Sequence, residues 1–146
     1  MTTATQNKAI VTAFINDVWN GRNTGSVNDY LHEAYQDYSF PPGFDTGRNG
    51  VATWVQLTSR SFEHTTSIKL MVADNDMVAV QIGFRVKHVG KWRQIDATGK
   101  EATVKGFRFY RMEAGLIIAH WGLIDGEALQ TALEGTNHGC QWSGRD

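Results

Sequence analysis

The stretch that decides the fold runs from Glu101 to Ile124, EATVKGFRFYRMEAGLIIAHWGLI. Two long runs rich in β-branched and aromatic residues flank a turn signal at 113–115, Glu-Ala-Gly, which is the pattern of a β-hairpin. Two further runs of the same kind precede it, TTSIKLMVA at 65–73 and MVAVQIGFRVKHV at 77–89. The sequence therefore predicts four antiparallel strands joined by short turns.

Apolar residues at helical spacing occur before and after these strands. Predicted helices cover 3–20, capped by Thr3 or Thr5, then a short segment from Val27 to Glu33, then 48–62, and finally a short helix capped by Asp125. Segregated helices and strands predict the α+β class. Strands this long in a small domain should curve, and helices on the concave face then enclose a cavity, which is a natural small-molecule site. We expect one domain over 1–134 and a polar C-terminal tail over 135–146.

The overall composition argues against several classes of function. The chain is 41% hydrophobic and 20% charged, with a formal net charge of −1 and no basic run, so a nucleic-acid binder is not expected. No apolar segment approaches the ~20 residues of a membrane span, and the N-terminus does not resemble a signal peptide. We therefore expect no membrane association and a cytoplasmic location. The single cysteine, Cys140, excludes an internal disulfide and thiolate-rich zinc sites, and we interpret it as a plain thiol.

Several motifs resemble those of a known family. AFINDVWNGRNTGSVNDYLHEAYQDYS at 13–39 resembles the N-terminal signature of SnoaL-like polyketide cyclases of the NTF2-like superfamily, with an aromatic-Asn-x-x-Trp-Asn-x-x-Asn pattern. GRNGVATWV at 47–55, HVGKW at 88–92 and TGKEATVKGFRFYRMEAGLIIAHWGLID at 98–125 resemble later parts of that family. The likeness extends over about residues 8–134. It implies an NTF2-like cone, a curved antiparallel sheet with helices on the concave face around an internal cavity.

The resemblance also implies an activity. Cyclases of this family close a ring by intramolecular aldol condensation of a small hydrophobic, polyketide-like compound, without a metal or an organic cofactor. A carboxylate in the last strand removes a C–H proton, and polar groups of the cavity stabilise the enolate. The family resemblance further implies a homodimer formed through the outer sheet face, where Trp121 and Leu123 would be exposed. The fold alone does not fix the reaction, because one scaffold hosts many activities.

Three candidate catalytic residues follow from the resemblance. His120 occupies the position of the family histidine, but the family's aspartate, two positions later, is replaced by Gly122. His88 matches the histidine of the family's His-x-Gly motif and shares strand parity with apolar residues. Arg108 occupies a position at which cavity-lining polar residues are common. His120 would act as acid and base, with His88 and Arg108 near the enolate oxygen.

Each of these assignments has an alternative. His120 is either a base, since its unperturbed pKa of ~6.5 suits neutral pH, or a hydrogen-bonded core histidine. The resemblance implies that Arg108 faces the cavity. If Phe107 and Phe109 are instead the buried residues of that strand, Arg108 faces solvent. Gly122 would leave room for a substrate ring.

The remaining candidates are ligand-binding residues. Tyr38 either places a hydroxyl at the cavity mouth or is a packing residue. Aromatic side chains predicted to form the cavity walls are Trp19, Trp54, Phe62, Phe84 and Trp92. No pair of histidines has close metal-ligand spacing, so no metal site is expected.

Three functions are compatible with this pattern. The first is a cofactor-independent cyclase or isomerase that uses His120. The second is a non-catalytic binding protein, which the missing carboxylate at Gly122 favours. The third is hydrolysis of an epoxide or ester, for which Asp96 is the nominated carboxylate.

Overall fold

The computed structural model describes residues 3–135, so all of the predicted tail except Gly135, with Cys140, lies outside the described residues. The first helix begins after Thr3, one of the two capping residues that the sequence predicted, and Thr3 forms a capping box with Gln6. Asp125 caps the last helix by accepting a hydrogen bond from the Ala128 N–H. In chain order the elements are α1 (Ala4–Phe14), a π-helical turn (Ile15–Asn20), a 3₁₀ turn (Thr24–Ser26), α2 (Val27–Tyr30), β1 (Leu31–Asp37), α3 (Arg48–Ser61), β2 (Phe62–Asp74), β3 (Met77–His88), β4 (Glu101–Glu113), β5 (Leu116–Ile124) and α4 (Gly126–Glu134).

The sheet contains five strands in the order β1-β5-β4-β3-β2. The four predicted strands are present and antiparallel, and each runs close to its predicted bounds. The expectation of only four strands was wrong, because the predicted second helix ends at Tyr30 and the chain continues as β1, parallel to β5. In β1 the side chains of Leu31, Tyr35 and Asp37 are buried, so this strand places a carboxylate inside the protein.

A β-bulge in β5 sets which side chains face inward. Met112 pairs with Ile117 and Arg111 pairs with Ala119, so Ile118 is an extra residue without a partner on β4. The extra residue shifts the alternation by one position. As a result Ile117 and His120, three residues apart, both face the helices.

The core lies between the concave sheet face and the helices. The inward residues of β4 are alternate ones: Val104, Gly106, Arg108, Tyr110 and Met112. Phe107 and Phe109 point outward and are 52% and 50% exposed, whereas Arg108 is 6% exposed. The preference of phenylalanine for burial therefore gave the wrong orientation for this strand, and the resemblance gave the right one.

No helix within residues 3–135 is long and apolar enough to cross a membrane. The cytoplasmic location remains a prediction.

Candidate functional site

A cavity of about 560 Å³ lies between the concave sheet face and the helices. Its size suits a small organic molecule of a few rings. All five predicted wall residues line this cavity, which are Trp19, Trp54, Phe62, Phe84 and Trp92. The charged or titratable side chains in the lining, apart from two tyrosines, are Asp37, Arg60, Lys91, Arg108 and His120.

Asp37 and His120 form a hydrogen-bonded pair in the cavity wall. Asp37 ends β1 and lies beside His120 of β5, because the two residues are partners in the parallel ladder. His120 Nδ1 is 2.8 Å from Asp37 Oδ2. A carboxylate at this position makes Nδ1 the protonated nitrogen of the neutral ring and leaves the lone pair on Nε2.

The Asp37 carboxylate is held by three further donors. The Tyr35 hydroxyl donates to Oδ2 at 2.8 Å, and the Ser39 N–H donates to Oδ1 at 3.0 Å, as does the Ser39 hydroxyl. Burial raises the pKa of Asp37, but the hydrogen bonds from His120 and Ser39 outweigh it, so the pKa is lowered overall. Asp37 is therefore an ionised, fixed partner for the imidazole and not a mobile proton carrier.

The environment of His120 keeps its ring neutral near pH 7. Burial lowers its pKa below the ordinary value, and the hydrogen bond and charge of Asp37 oppose this shift without reversing it. Nε2 is buried and has no hydrogen-bond partner among residues 3–135. The ring thus carries an unused proton-accepting atom at the cavity wall.

Gly122 allows the imidazole to take this position. A Cβ atom on residue 122 would lie 2.7 Å from His120 Cε1 and 2.8 Å from Nε2, well inside van der Waals contact. The expectation that Gly122 leaves room for a substrate ring was therefore wrong, because the imidazole itself fills the space above the glycine. His120 can occupy this position because residue 122 is a glycine and carries no side chain, and so no carboxylate.

We predict that Gly122→Ala displaces the His120 ring and weakens its bond to Asp37. Overpacking of this kind costs about 1–3 kcal/mol, and the free energy of unfolding from urea titration measures that cost. The imidazole ¹⁵N and N–H signals of His120 should shift at the same time. Gly25→Ala is the matched control, because a Cβ there meets only Asn23 Oδ1, at 3.8 Å. An unchanged His120 spectrum in Gly122→Ala would contradict the prediction.

Arg108 brings a permanent positive charge into the cavity. Its guanidinium carbon lies 5.0 Å from the centroid of the Trp19 ring, which belongs to the π-helical turn. Asn20 fixes that turn to β2 by bonding both the N–H and the carbonyl of Thr66, at 2.7 and 2.9 Å. The irregular turn thus holds the indole face against the arginine, a cation–π contact.

The positive charge also acts on His64, a buried histidine of β2. Burial, followed by the charges of Arg22 and Arg108, lowers the pKa of His64 to about 4. His64 contacts Trp19 edge to face at 6.0 Å, and its Nε2 is 2.9 Å from the Ser59 hydroxyl oxygen. His64 is therefore neutral in the folded protein throughout the neutral range.

This shift predicts a loss of stability in acid. As the pH falls below 6.5, the unfolded chain binds a proton at His64 that the folded chain does not accept, so unfolding becomes more favourable. Between pH 7 and pH 4.5, His64 should lower the free energy of unfolding by about 2–3 kcal/mol. Urea unfolding of His64→Gln at both pH values should show that much less pH dependence than the native protein. His32→Gln, on β1, is the control, and equal pH dependence in His64→Gln and the native protein would refute the assignment.

Three predicted residues lie away from the cavity lining. Tyr38 is 63% exposed and stacks on Trp121 at 5.2 Å, so its ring lies on the outer sheet face and not at the cavity mouth. Asp96 is exposed in the loop after β3 and is not a lining residue, which removes the carboxylate nominated for hydrolysis. His88 is fully buried behind Phe62, and its Nδ1 accepts a hydrogen bond from the Thr98 N–H at 3.2 Å.

Asp37, Tyr35 and Ser39 were not among the predicted site residues. A signal was present, because these three polar or amphipathic residues alternate in Tyr-Gln-Asp-Tyr-Ser, as on one face of a strand. Within residues 3–135 no group of three or more histidine, cysteine, aspartate or glutamate side chains could hold a metal ion.

The sequence matches a known protein family, and the fold matches solved structures. The family model of SnoaL-like polyketide cyclases matches residues 9–133. No curated protein matches the sequence. Among solved structures, TsrD from Streptomyces laurentii is similar with a TM-score of 0.83 and 19% identity, over 93% of this chain and 100% of that one.

Two further structures share the fold. IdmH from Streptomyces antibioticus, described as a candidate polyketide cyclase, has a TM-score of 0.79 and 19% identity, over 88% of this chain and 99% of that one. AclR from Streptomyces galilaeus, described as a candidate hydroxylase, has a TM-score of 0.80 and 18% identity, over 93% of this chain and 85% of that one. The likeness confirms the predicted NTF2-like architecture, and at these identities it extends to the fold alone.

Proposed function

Since the chain belongs to the SnoaL-like polyketide cyclase family, we propose that it is a cofactor-independent enzyme that moves a proton at carbon in a small hydrophobic carbonyl compound. Ring closure by aldol addition and isomerisation are the two reactions that this step serves. The observation that carries the proposal is the 2.8 Å hydrogen bond between Asp37 and His120 in the cavity wall. A fixed carboxylate behind a neutral imidazole is the arrangement of a general base.

In the proposed reaction, His120 Nε2 takes a proton from the carbon next to a carbonyl group. The C–H electron pair becomes the enolate, and the enolate carbon attacks a second carbonyl of the same molecule to form the new C–C bond. The imidazolium then returns its proton to the resulting alkoxide, so no co-reactant is needed. Asp37 stabilises the imidazolium while the proton is held on the ring.

Arg108 has a separate role in this proposal. Its side chain emerges from the β4 position that pairs with Gly122, so it runs beside the His120 ring. A permanent cation at that place lowers the energy of negative charge that develops on the carbonyl oxygen. His88 is not included, because it lies behind Phe62 and outside the lining.

The test is deuterium incorporation in D₂O. Bicyclic aryl ketones, with and without a carboxylate, are incubated with the protein, and mass spectrometry follows uptake of deuterium next to the carbonyl. Catalysed uptake or ring closure supports the proposal. Binding without exchange in every compound of the panel would identify a non-catalytic binding protein instead.

Hydrolysis is the second candidate function, and the free Nε2 atom of His120 favours it, since this atom is equally able to deprotonate water. A serine nucleophile is not supported, because the Ser39 hydroxyl lies 3.4 Å from Nδ1, on the Asp37 side of the ring. Incorporation of ¹⁸O from labelled water into an opened epoxide or ester would establish this reaction.

We also propose a homodimer formed through the outer sheet face. Phe107 pairs with Leu123 and Phe109 pairs with Trp121, which creates a continuous exposed apolar surface in which Leu123 is 78% exposed. Surfaces of this kind are typical of protein interfaces. We predict that the native protein sediments as a dimer at micromolar concentration and that Phe109→Glu combined with Leu123→Glu is monomeric. Thr53→Glu on α3 is the control, and a native monomer would contradict the proposal.

A further inference from the structure

We propose that the ligand of this cavity is an anion, a flat aromatic compound with a carboxylate group that binds Arg108. The inference rests on the proposed function, since it names the chemical class of the compound taken by the same cavity. Its test is a binding measurement, so its failure is distinguishable from failure of the proton-transfer chemistry.

The charge balance of the lining is the first argument. Asp37 is the one acidic residue among the described lining residues, and its oxygens are occupied by His120, Tyr35 and Ser39. The other charged lining residues, Arg60, Lys91 and Arg108, are all basic. The electrostatic potential of the cavity is therefore positive. A positive potential attracts an anion as it approaches and stabilises it after it has bound.

The state of Arg108 is the second argument. Its side chain is nearly fully buried, Nη1 has no hydrogen-bond partner, and no carboxylate of residues 3–135 lies within 4.0 Å of the guanidinium. An arginine remains charged at any ordinary pH, and a buried charge without a counter-charge is costly. The Trp19 face and the neighbouring hydroxyl of Tyr110 offset only part of that cost, because neither carries a negative charge. A carboxylate would supply the missing acceptors in the paired geometry that guanidinium favours.

The position of Arg108 relative to the acid–base pair is the third argument. The point where a Cβ of residue 122 would lie is 3.6 Å from Arg108 Cγ and 2.8 Å from His120 Nε2. The guanidinium stem and the proton-accepting nitrogen are therefore neighbours on one part of the wall. A carboxylate held by Arg108 would place the adjacent carbons of the ligand near His120, while the aromatic body lies against Trp54, Phe40 and Phe62.

The experiment compares 2-naphthoate with its methyl ester by isothermal titration calorimetry at low and moderate salt. We expect the native protein to bind the carboxylate at least tenfold more tightly than the ester. Arg108→Gln should abolish this preference, whereas Arg111→Gln, on the exposed face over Trp121, should keep it. His120→Gln should also keep it, even if deuterium exchange is lost. Equal binding of acid and ester, or no measurable binding of the acid at millimolar concentration, overturns the proposal.

A second measurement uses only the native protein, in case Arg108→Gln does not fold. A carboxylate bound to the guanidinium should shift the side-chain Nε–H and Nη signals of Arg108 in an NMR spectrum at pH 7, whereas the methyl ester should leave them in place. Identical Arg108 signals with and without saturating naphthoate would contradict binding at Arg108.

Discussion

His120→Ala is expected to lower the rate of catalysed deuterium incorporation into an aryl ketone by about 10²–10⁴-fold, the usual contribution of one general acid–base group. The reason is the position of the ring, since Nε2 is the unpartnered nitrogen of an imidazole that Asp37 fixes through Nδ1. The measurement is the initial exchange rate at saturating ketone, taken at pH 7.5 and corrected for exchange in buffer.

The pH dependence gives an independent check on the same residue. Because burial holds the pKa of His120 below its ordinary value, the ring stays a base through neutral pH and is protonated only in acid. The native rate should therefore be flat from pH 7 to 8 and fall only in acid, at a lower pH than the ordinary histidine pKa of ~6.5 would give. His32→Ala on β1, outside the cavity lining, is the control, with an expected rate equal to the native one. Retention of the full rate in His120→Ala would remove His120 from the mechanism.

The fold was largely predictable because its signals are local. Apolar residues recur about every second position in the strands and about every 3.6 positions in the helices. The capping residues Thr3 and Asp125 mark the starts of two helices correctly. β1 was missed because it is short and its partner, β5, lies some eighty positions later in the sequence. A parallel pairing over that distance leaves no turn signal between the two strands, and only the alternation in Tyr-Gln-Asp-Tyr-Ser points to it.

The sequence predicted the aromatic walls of the cavity better than it predicted the placement of the polar residues. Some of the wall aromatics lie on the apolar face of a single helix or strand, as Trp54 and Phe84 do, and all five line the cavity. The orientation of Arg108 did not follow from hydrophobicity, because Phe107 and Phe109 face outward and remain about half exposed. The role of Gly122 did not follow from spacing either. Whether a glycine leaves a void or accommodates a neighbour depends on a rotamer, here that of His120, which the sequence does not specify.

Asp37→Asn is expected to reduce the exchange rate about as strongly as loss of His120 itself, by about 10²–10⁴-fold, although the shape of the site is kept. The Ser39 N–H is a fixed donor, so the amide oxygen of the new side chain must face it. The amide NH₂ group then faces His120 Nδ1, which has to accept a hydrogen bond. The ring proton moves to Nε2, and the proton-accepting atom of the cavity wall is lost.

This outcome differs from simple destabilisation in a measurable way. The ¹⁵N shifts of His120 should show Nδ1 protonated in the native protein and Nε2 protonated in Asp37→Asn, with the urea unfolding midpoint as a check on stability. Ser39→Ala is the matched control, because it removes one hydrogen bond to Asp37 and leaves the carboxylate and its backbone donor in place. It should keep the native tautomer and most of the rate. If Asp37→Asn exchanges deuterium at the native rate, the carboxylate is not needed to orient His120 for catalysis. The base of this cavity would then be another group.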